Sequence, residues 1–573
     1  MKESVFTRKI LILLFLLFLG FLVLVYRLFN IQIINNAKYV QLASSENSFS
    51  NTMSPLRGII EDSSGGILAG NRPVYSVFVS LNNVIDKKSF INEVSSVLGL
   101  NKKYVSSLFK TKLIWVQLAA NATNSQKSKL SNLASLTFQE HELRFYPNNT
   151  LFAHILGFLG KDYQGDISGF YGVEGYFNGA LLGTTGYSKG IESALGIPLL
   201  NHNYSFVPPQ NGDTIKLTIN PAIQEIVSTS ISYWTKKEDA VSGAAIVMDP
   251  KTGAILAMSS YPSFNPNTYW KYKYANFQNN AISFIYEPGS VGKLIMAAAA
   301  LQTGAMTPAT TVNDATGIFP VGGQNIYNWN KQPDGVMNLG KILLLSSNVG
   351  ASIVATKYLS SKIMYNFSKS FGFGKLTGIT LQGEETGIIP NYTSWNESNL
   401  ATDAFGQFVS VSPLQIIDAY DAPANGGKIM QPYIVQSITS SSGKTVNYTP
   451  QVLSTPISSN VAGELTSMLT YTTQGEPNWA LHTEGVGAYM PIIAGKTGSA
   501  QMPSKTHPGQ YSTHNYVMTY VAYAPAKNPK FILLTMMNSP QKPLLNQYYA
   551  ATTACVEWGQ IANKLFPYFN ITP

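Results

Sequence analysis

The stretch that decides the fold is residues 287–301, which read EPGSVGKLIMAAAAL. Pro288 and Gly289 interrupt the chain just before Ser290, and the apolar run that follows predicts a helix opening at this serine. Lys293 stands at the i+3 position, so its side chain shares a helix face with Ser290. A lysine kept neutral by burial and nearby cations can take the hydroxyl proton. The alternative, a capping serine beside a surface lysine, stays open on this stretch alone.

The Ser-x-x-Lys pattern is weak evidence by itself, because it recurs elsewhere in the chain, for example from Ser107 and from Ser441. The copy from Ser107 to Lys110 falls in a small helical piece, and the copy from Ser441 to Lys444 falls in a Ser/Gly turn. We expect both to be solvated surface. Only Ser290 stands between a chain interruption and an apolar helix, so it is the candidate nucleophile.

A second polar group interrupts an apolar run, the helix predicted over residues 341–359. Ser346, Ser347 and Asn348 stand in its middle, where buried polar side chains cost free energy unless they are hydrogen-bonded. We therefore expect a lysine, a serine or a substrate amide to bind them, and a polar kink in the core is the alternative. The Ser-x-Asn strings that begin at Ser45, Ser394 and Ser458 lack this apolar setting.

The string Lys-Thr-Gly appears twice, beginning at Lys251 and at Lys496. The first copy belongs to an Asp-Pro-Lys-Thr-Gly sequence, which is typical of an exposed hairpin turn. The second follows an apolar stretch and predicts a strand whose edge faces a cleft. There Lys496 would supply positive potential, and Gly498 would let a ligand backbone approach. The hydroxyls of Thr497 and Ser499 would bind a carboxylate.

Strand and helix patterns together predict an α+β protein. Over residues 211–573 strands come in runs rather than in strict alternation with helices, which favours a central antiparallel sheet flanked by helices. Shorter strand-like runs over 55–210 predict a mainly β or irregular non-catalytic domain. This domain would serve as a pedestal for the domain over 211–573. The predicted elements are strands over 74–79, 114–118, 214–219, 243–248, 254–258, 519–524 and 531–537, and a helix over 221–233.

The N-terminal segment predicts one membrane anchor. Residues 10–26 carry no charge and would extend about 25 Å as a helix, and Arg27 can reach the lipid headgroups. No small-residue cleavage site follows, so we expect an uncleaved anchor over 10–30. The basic residues of 1–9 would keep that tail in the cytoplasm and send the rest across the cell membrane, beginning with a polar linker over 31–54.

Composition excludes several classes of protein. Of 573 residues, 45% are hydrophobic, which excludes a disordered chain, and a net charge of +9 is too dilute for a nucleic-acid surface. The single cysteine, Cys555, lies in an apolar stretch, so we expect a buried side chain without disulfide or catalytic chemistry. Because the histidines show no HxH or HExxH spacing, we expect neither metal nor cofactor.

The order of the three motifs, begun by Ser290, Ser346 and Lys496, resembles that of penicillin-binding proteins and serine β-lactamases. The rest of the chain is similar to the class B penicillin-binding proteins, which are monofunctional peptidoglycan DD-transpeptidases. The strings that carry this similarity are 57–62 (RGIIED), 172–175 (GVEG), 182–186 (LGTTG), 371–374 (FGFG), 383–384 (GE), 406–407 (GQ), 412–415 (SPLQ) and 425–426 (NG).

The resemblance implies acyl transfer through a covalent intermediate. Ser290 would attack the carbonyl between the two terminal D-alanines of a stem peptide, with Lys293 as the base. Ser346 would relay a proton to the leaving amine, and Asn348 would bind the substrate amide. The backbone N–H groups of Ser290 and Ser499 would form the oxyanion hole.

The resemblance also implies partners. These are peptidoglycan stem peptides, β-lactams as inhibitors, the membrane and, because no glycosyltransferase signature lies upstream, a polytopic glycan polymerase. A membrane-anchored β-lactam sensor or a β-lactamase-like hydrolase is the alternative, since both use the same serine chemistry. The chain departs from the family at Val291 and Gly292, where Thr-Phe is usual, and at Ser499, where threonine is usual.

Overall fold

The computed structural model describes residues 2–192, 198–199, 204–504, 507, 510–543 and 549–573. Its strands are β1 Ser48–Met53, β2 Ile60–Glu61, β3 Ile67–Ser80, β4 Trp115–Ala122, β5 Leu136–Phe145, β6 Phe158–Lys161, β7 Ile167–Phe170, β8 Gly186–Glu192, β9 Pro198–Leu199, β10 Ser205–Val207, β11 Thr214–Leu217, β12 Ser242–Met248, β13 Ile255–Tyr261, β14 Thr311–Asp314, β15 Ile318–Val321, β16 Gln324–Tyr327, β17 Gly335–Asn338, β18 Ile429–Met430, β19 Val435–Thr439, β20 Thr445–Asn447, β21 Val452–Ser454, β22 Ala494–Pro503, β23 Tyr511–Ala524 and β24 Phe531–Asn538.

The α-helices are α1 Lys2–Phe29, α2 Asn36–Asn47, α3 Lys87–Leu98, α4 Lys102–Leu108, α5 Asn124–Leu130, α6 Ala153–Leu156, α7 Gly172–Tyr176, α8 Asn178–Leu182, α9 Pro221–Lys237, α10 Asn280–Ser283, α11 Lys293–Gln302, α12 Leu339–Leu345, α13 Asn348–Tyr358, α14 Ser361–Ser370, α15 Glu397–Asp403, α16 Pro413–Ala424, α17 Ser459–Thr472, α18 Asn478–Thr483 and α19 Ala554–Tyr568.

One compact unit combines Met1–Leu56 with Leu182–Gly212. Among the described residues, Val5–Ile34 is the helical segment long and apolar enough to cross a membrane, so the predicted anchor forms a helix. The segment predicted to be a linker, 31–54, contains α2 and β1, and β1 pairs antiparallel with β8. Strand β1 could not be predicted from the sequence. Most of its side chains are exposed, so the segment lacks the apolar alternation of a half-buried strand.

The second unit joins Arg57–Leu181 to Asp213–Pro573 around a five-stranded antiparallel sheet in the order β13-β12-β24-β23-β22. Successive side chains of β12 point into two different hydrophobic cores. Ala244 and Ile246 lie in one core, and Ala245 and Val247 lie in the other. Helices α9 and α19 supply side chains to one core, and α10, α11, α16 and α17 to the other. Burial on both faces explains the continuous apolar runs of these strands. The predicted α+β fold with a central antiparallel sheet is confirmed.

A second sheet runs through the N-terminal part of the same unit. Its order is β20-β19-β11-β2-β3-β4, with β5 also paired to β3, and β2 lies parallel to β11. The long strands β3, β4 and β5 bear out the strand character predicted for 55–210. The sheet also contains strands from the region predicted to be catalytic, and the division at residue 210 stays a prediction.

Two predicted helices differ from the structure. A 3-10 turn, Gly289–Gly292, contains Ser290, so the α-helix begins at Lys293 rather than at the serine. Side chains at i and i+3 eclipse in a 3-10 turn, which still places Ser290 and Lys293 on one side. The single helix predicted over 341–359 is two helices, α12 and α13, because Ser346 adopts a left-handed φ of 56° between them.

A buried ion cluster joins two of the family-like strings. Glu174 accepts from Arg57 Nε at 2.8 Å, from Arg144 Nε at 2.7 Å and from the Tyr146 hydroxyl at 3.1 Å. Its side chain is fully buried, and both guanidinium groups are nearly so. One carboxylate thus holds two buried cations from distant parts of the chain.

We expect Glu174→Ala to destabilise this unit by about 3–5 kcal/mol, because it leaves two buried guanidinium groups without their anion. Urea unfolding followed by circular dichroism measures the effect. Glu142, which is exposed on β5, provides the control, and Glu142→Ala should stay within about 0.5 kcal/mol of the parent. Equal midpoints for the two variants would contradict the assigned role of the cluster.

Candidate active site

The turn that carries Ser290 is held by close backbone packing. Gly289 has a φ of 60°, and its N–H donates to Gly406 O at 2.8 Å. A Cβ on Gly292 would lie 3.0 Å from Gly406 Cα, closer than side chains normally approach. The glycine at 292, a departure from the family pattern, therefore lets the turn pack against the 406–407 string.

Lys293 lies at the centre of the site and is fully buried. Its Nζ is 2.7 Å from Ser290 Oγ, 2.9 Å from the Ser346 carbonyl oxygen and 2.8 Å from Asn348 Oδ1. The first and second predicted motifs therefore meet at one amine. An ammonium group has three protons and could donate to all three of these oxygens.

The surroundings of Lys293 favour the neutral amine. Burial lowers its pKa well below the usual range and the charge of Lys496 lowers it further, against Glu476 and Asp334, which raise it. A neutral amine has two protons and one lone pair. With the two protons on Ser346 O and Asn348 Oδ1, the lone pair is left for the hydroxyl proton of Ser290, which is the arrangement that a general base requires.

Ser346 connects the two lysines because its backbone is left-handed. Its carbonyl oxygen accepts from Lys293, while its hydroxyl oxygen accepts from Lys496 Nζ at 3.1 Å. Ser347 begins the next helix by accepting from Gly350 N–H at 3.0 Å. A left-handed serine costs about 1–2 kcal/mol, which these bonds offset. The break in the predicted helix thus serves the site.

Lys496 brings the third motif into the cluster. Its side chain is buried, and its Nζ donates to Thr497 Oγ1 at 3.2 Å as well as to Ser346 Oγ. Burial lowers the pKa of Lys496, although the carboxylate of Glu476 raises it. The positive charge predicted for this position therefore lies between the hydroxyls of Ser346 and Thr497.

The two small residues after Thr497 have different surroundings. A Cβ on Gly498 would lie 2.9 Å from Pro288 O and 3.0 Å from Val291 Cγ1, so this glycine lets β22 approach the serine turn. The sequence prediction attributed it to the approach of a ligand backbone. Ser499 Oγ accepts from Ala550 N–H at 2.8 Å, which leaves the serine proton to donate elsewhere.

Two residues that the sequence analysis missed also belong to the site. Glu476 Oε2 accepts from Thr497 Oγ1 at 2.7 Å. Asn328 Oδ1 accepts from Ser347 Oγ at 3.0 Å and from Val349 N–H at 3.1 Å, which fixes the second motif. Neither has a local sequence signal, since both lie in loops and reach the site only through the tertiary fold.

The competing copies of the first and third motifs begin on the surface, as predicted. Lys251 is exposed in the turn between β12 and β13, and its N–H donates to Asp249 Oδ1 at 2.9 Å. Ser107 is exposed on α4, and Ser441 is exposed in the turn between β19 and β20. Cys555 is buried, also as predicted.

Comparison with protein families matches both parts of the chain. The penicillin-binding protein transpeptidase domain matches residues 243–557, and the penicillin-binding protein dimerisation domain matches residues 52–217. Among curated relatives, stage V sporulation protein D of Bacillus subtilis is 28% identical over 98% of this chain and 86% of its own length. Peptidoglycan D,D-transpeptidase FtsI of Escherichia coli K12 is 26% identical over 91% of this chain and 85% of its own.

Solved structures share the fold. Penicillin-binding protein 2X of Streptococcus thermophilus has a TM-score of 0.73 at 23% identity, over 91% of this chain and 81% of that one. The transpeptidase model covers more than half of the 573 residues. The chain therefore belongs to the penicillin-binding protein transpeptidase family, and within it to the class B penicillin-binding proteins.

Proposed function

We propose that the chain is a peptidoglycan DD-transpeptidase, which cross-links stem peptides through an acyl-enzyme at Ser290 and is inhibited covalently by β-lactams. The observation that carries the proposal is the 2.7 Å contact between Ser290 Oγ and the Nζ of the buried Lys293. The activity in the name of the Escherichia coli relative supports the same reaction.

In the first half-reaction Ser290 Oγ attacks the carbonyl carbon between the terminal D-alanines, and Lys293 takes the hydroxyl proton. The carbonyl oxygen becomes negative and is held by the N–H groups of Ser290 and Ser499. The C–N bond then breaks, and the leaving D-alanine amine receives, through Ser346 Oγ, the proton that Lys293 took from Ser290. Ser346 Oγ lies 3.1 Å from Lys496 Nζ. The products are an ester on Ser290 and free D-alanine.

In the second half-reaction an amine of a neighbouring stem peptide attacks the ester carbonyl. The amine loses a proton to Lys293, and the C–O bond to Ser290 breaks as Lys293 returns that proton to Ser290 Oγ. Asn348 binds the substrate amide, and Thr497 and Ser499 hold the donor's terminal carboxylate in the first half-reaction, before it leaves with D-alanine. A β-lactam acylates the same serine, but its leaving nitrogen stays tethered in the opened ring, so the ester persists.

Location and partners complete the proposal. The chain is a single-pass membrane protein, and the basic residues before the apolar helix favour a cytoplasmic N-terminus with the catalytic unit outside. The dimerisation model matches residues 52–217 and the transpeptidase model matches residues 243–557. For glycan polymerisation we therefore propose a separate protein, a polytopic polymerase. The non-catalytic region 55–210 and the anchor 10–30 are the proposed contacts.

The test uses the purified full-length chain with a synthetic peptide ending in D-Ala-D-Ala and a labelled D-amino acid as acceptor. We expect the label to replace the terminal D-alanine, and we expect a fluorescent penicillin adduct to persist for hours. Rapid turnover of the penicillin with free acid as product would instead support the hydrolase alternative. Penicillin binding with no exchange on the peptide would support a sensor.

A further inference from the structure

The Thr497 hydroxyl, expected to hold a substrate carboxylate, is bound by a carboxylate of the chain itself. Thr497 Oγ1 donates to Glu476 Oε2 at 2.7 Å. Glu476 lies between α17 and α18, and α17 is tied to β22 at its last residue, because the Thr472 hydroxyl donates to Gly495 O. Contacts between these elements therefore hold Glu476 at the motif.

The hydroxyl proton of Thr497 is already used in a hydrogen bond within the chain. A hydroxyl has one proton to donate, and that of Thr497 points to Glu476. Lys496 Nζ donates to the same oxygen at 3.2 Å, so Thr497 has no further proton for a ligand. Ser499 differs, because its oxygen accepts from Ala550 N–H and its own proton is free to donate. Of the two hydroxyls expected to bind the substrate carboxylate, only that of Ser499 thus has a proton available before substrate arrives.

We propose that Glu476 competes with the substrate carboxylate for the Thr497 hydroxyl. Glu476 must release this hydroxyl before the donor peptide or a β-lactam can bind fully. The proposal rests on the proposed transpeptidase function. Two carboxylates at one hydroxyl repel each other, so the negative charge of Glu476 weakens binding of an anionic substrate. Glu476 therefore lowers the affinity for an anionic substrate.

The negative charge of Glu476 also acts on Lys293, the proposed base. The charged groups that influence Lys293 are Lys496, Glu476 and Asp334, of which the two carboxylates raise its pKa. Burial raises the pKa of the Cys555 thiol on α19, and the charge of Glu476 raises it further. Removing the charge of Glu476 would lower the pKa of Lys293. The neutral amine would then persist to lower pH.

The experiment compares Glu476→Gln with the parent in the full-length chain. Acylation is measured with a chromogenic cephalosporin that carries a free ring carboxylate and with its uncharged methyl ester, from pH 5 to 9. We expect the variant to bind the carboxylate compound about tenfold more tightly, with little change for the ester. We also expect the acid limb of the acylation rate to move to lower pH for both compounds.

Glu464→Gln is the matched control, because Glu464 lies on α17 at similar exposure and accepts from Asn460 Nδ2 at 3.1 Å, away from the motif. Glu464→Gln should leave the binding and the acylation rate of both compounds unchanged. An unchanged or weakened affinity for the carboxylate compound in Glu476→Gln, or an equal gain for the ester, would overturn the proposal. If the parent chain itself forms no adduct at Ser290, the proposed function fails instead.

Discussion

Ser290→Ala is expected to abolish covalent penicillin labelling while the chain stays folded. The hydroxyl is the nucleophile, and the base at 2.7 Å has no other hydroxyl among its hydrogen-bond partners. The fold should persist because Lys293 keeps the Ser346 carbonyl and Asn348 Oδ1, so the change removes one hydrogen bond worth about 1 kcal/mol. Gel fluorescence after labelling and thermal unfolding of the same sample measure the two effects.

Ser107→Ala and Ser441→Ala are the controls, since both serines begin a Ser-x-x-Lys string on the exposed surface. Both variants should label at the parent rate. Mass spectrometry locates the adduct in the parent chain. An adduct on either surface serine, or full labelling of Ser290→Ala, would show that the wrong string was assigned as the first motif.

The parts of the site that sequence could predict are those fixed by local pattern. Pro288 and Gly289 before an apolar helix singled out Ser290, and the i+3 spacing to Lys293 survives even though the serine lies in a 3-10 turn. The strand that carries Lys496 was predicted because its apolar approach differs from the turn around Lys251. In each instance the deciding information lies within a few residues.

The parts that sequence missed depend on distant contacts. Apolar periodicity predicted one helix through Ser346, because nothing nearby in sequence reveals that two lysines, Lys293 and Lys496, bind its carbonyl and hydroxyl. Glu476 has no motif of its own and joins the site only when α17 packs beside β22. Strand β1 likewise forms through pairing with β8 rather than through its own polar composition.

Lys496→Ala is expected to slow acylation by about 100-fold or more, whereas Lys251→Ala should acylate at the parent rate. Lys496 donates to Ser346 Oγ and to Thr497 Oγ1, so its loss removes a partner of the proposed proton relay and the charge beside the carboxylate subsite. Lys251 lies exposed in a hairpin turn, where substitution costs within about 0.5 kcal/mol. The measurement is the second-order acylation rate with a chromogenic β-lactam.

The pH profile distinguishes loss of function from general damage. The charge of Lys496 lowers the pKa of Lys293, so removing it should raise that pKa. Less neutral base would then be present at a given pH, and the acid limb of the Lys496→Ala profile should move to higher pH, opposite to the shift expected for Glu476→Gln. A uniformly lower profile with no shift would mean that Lys496 acts on the substrate alone. Equal rates for the two lysine variants would place the third motif on the wrong strand.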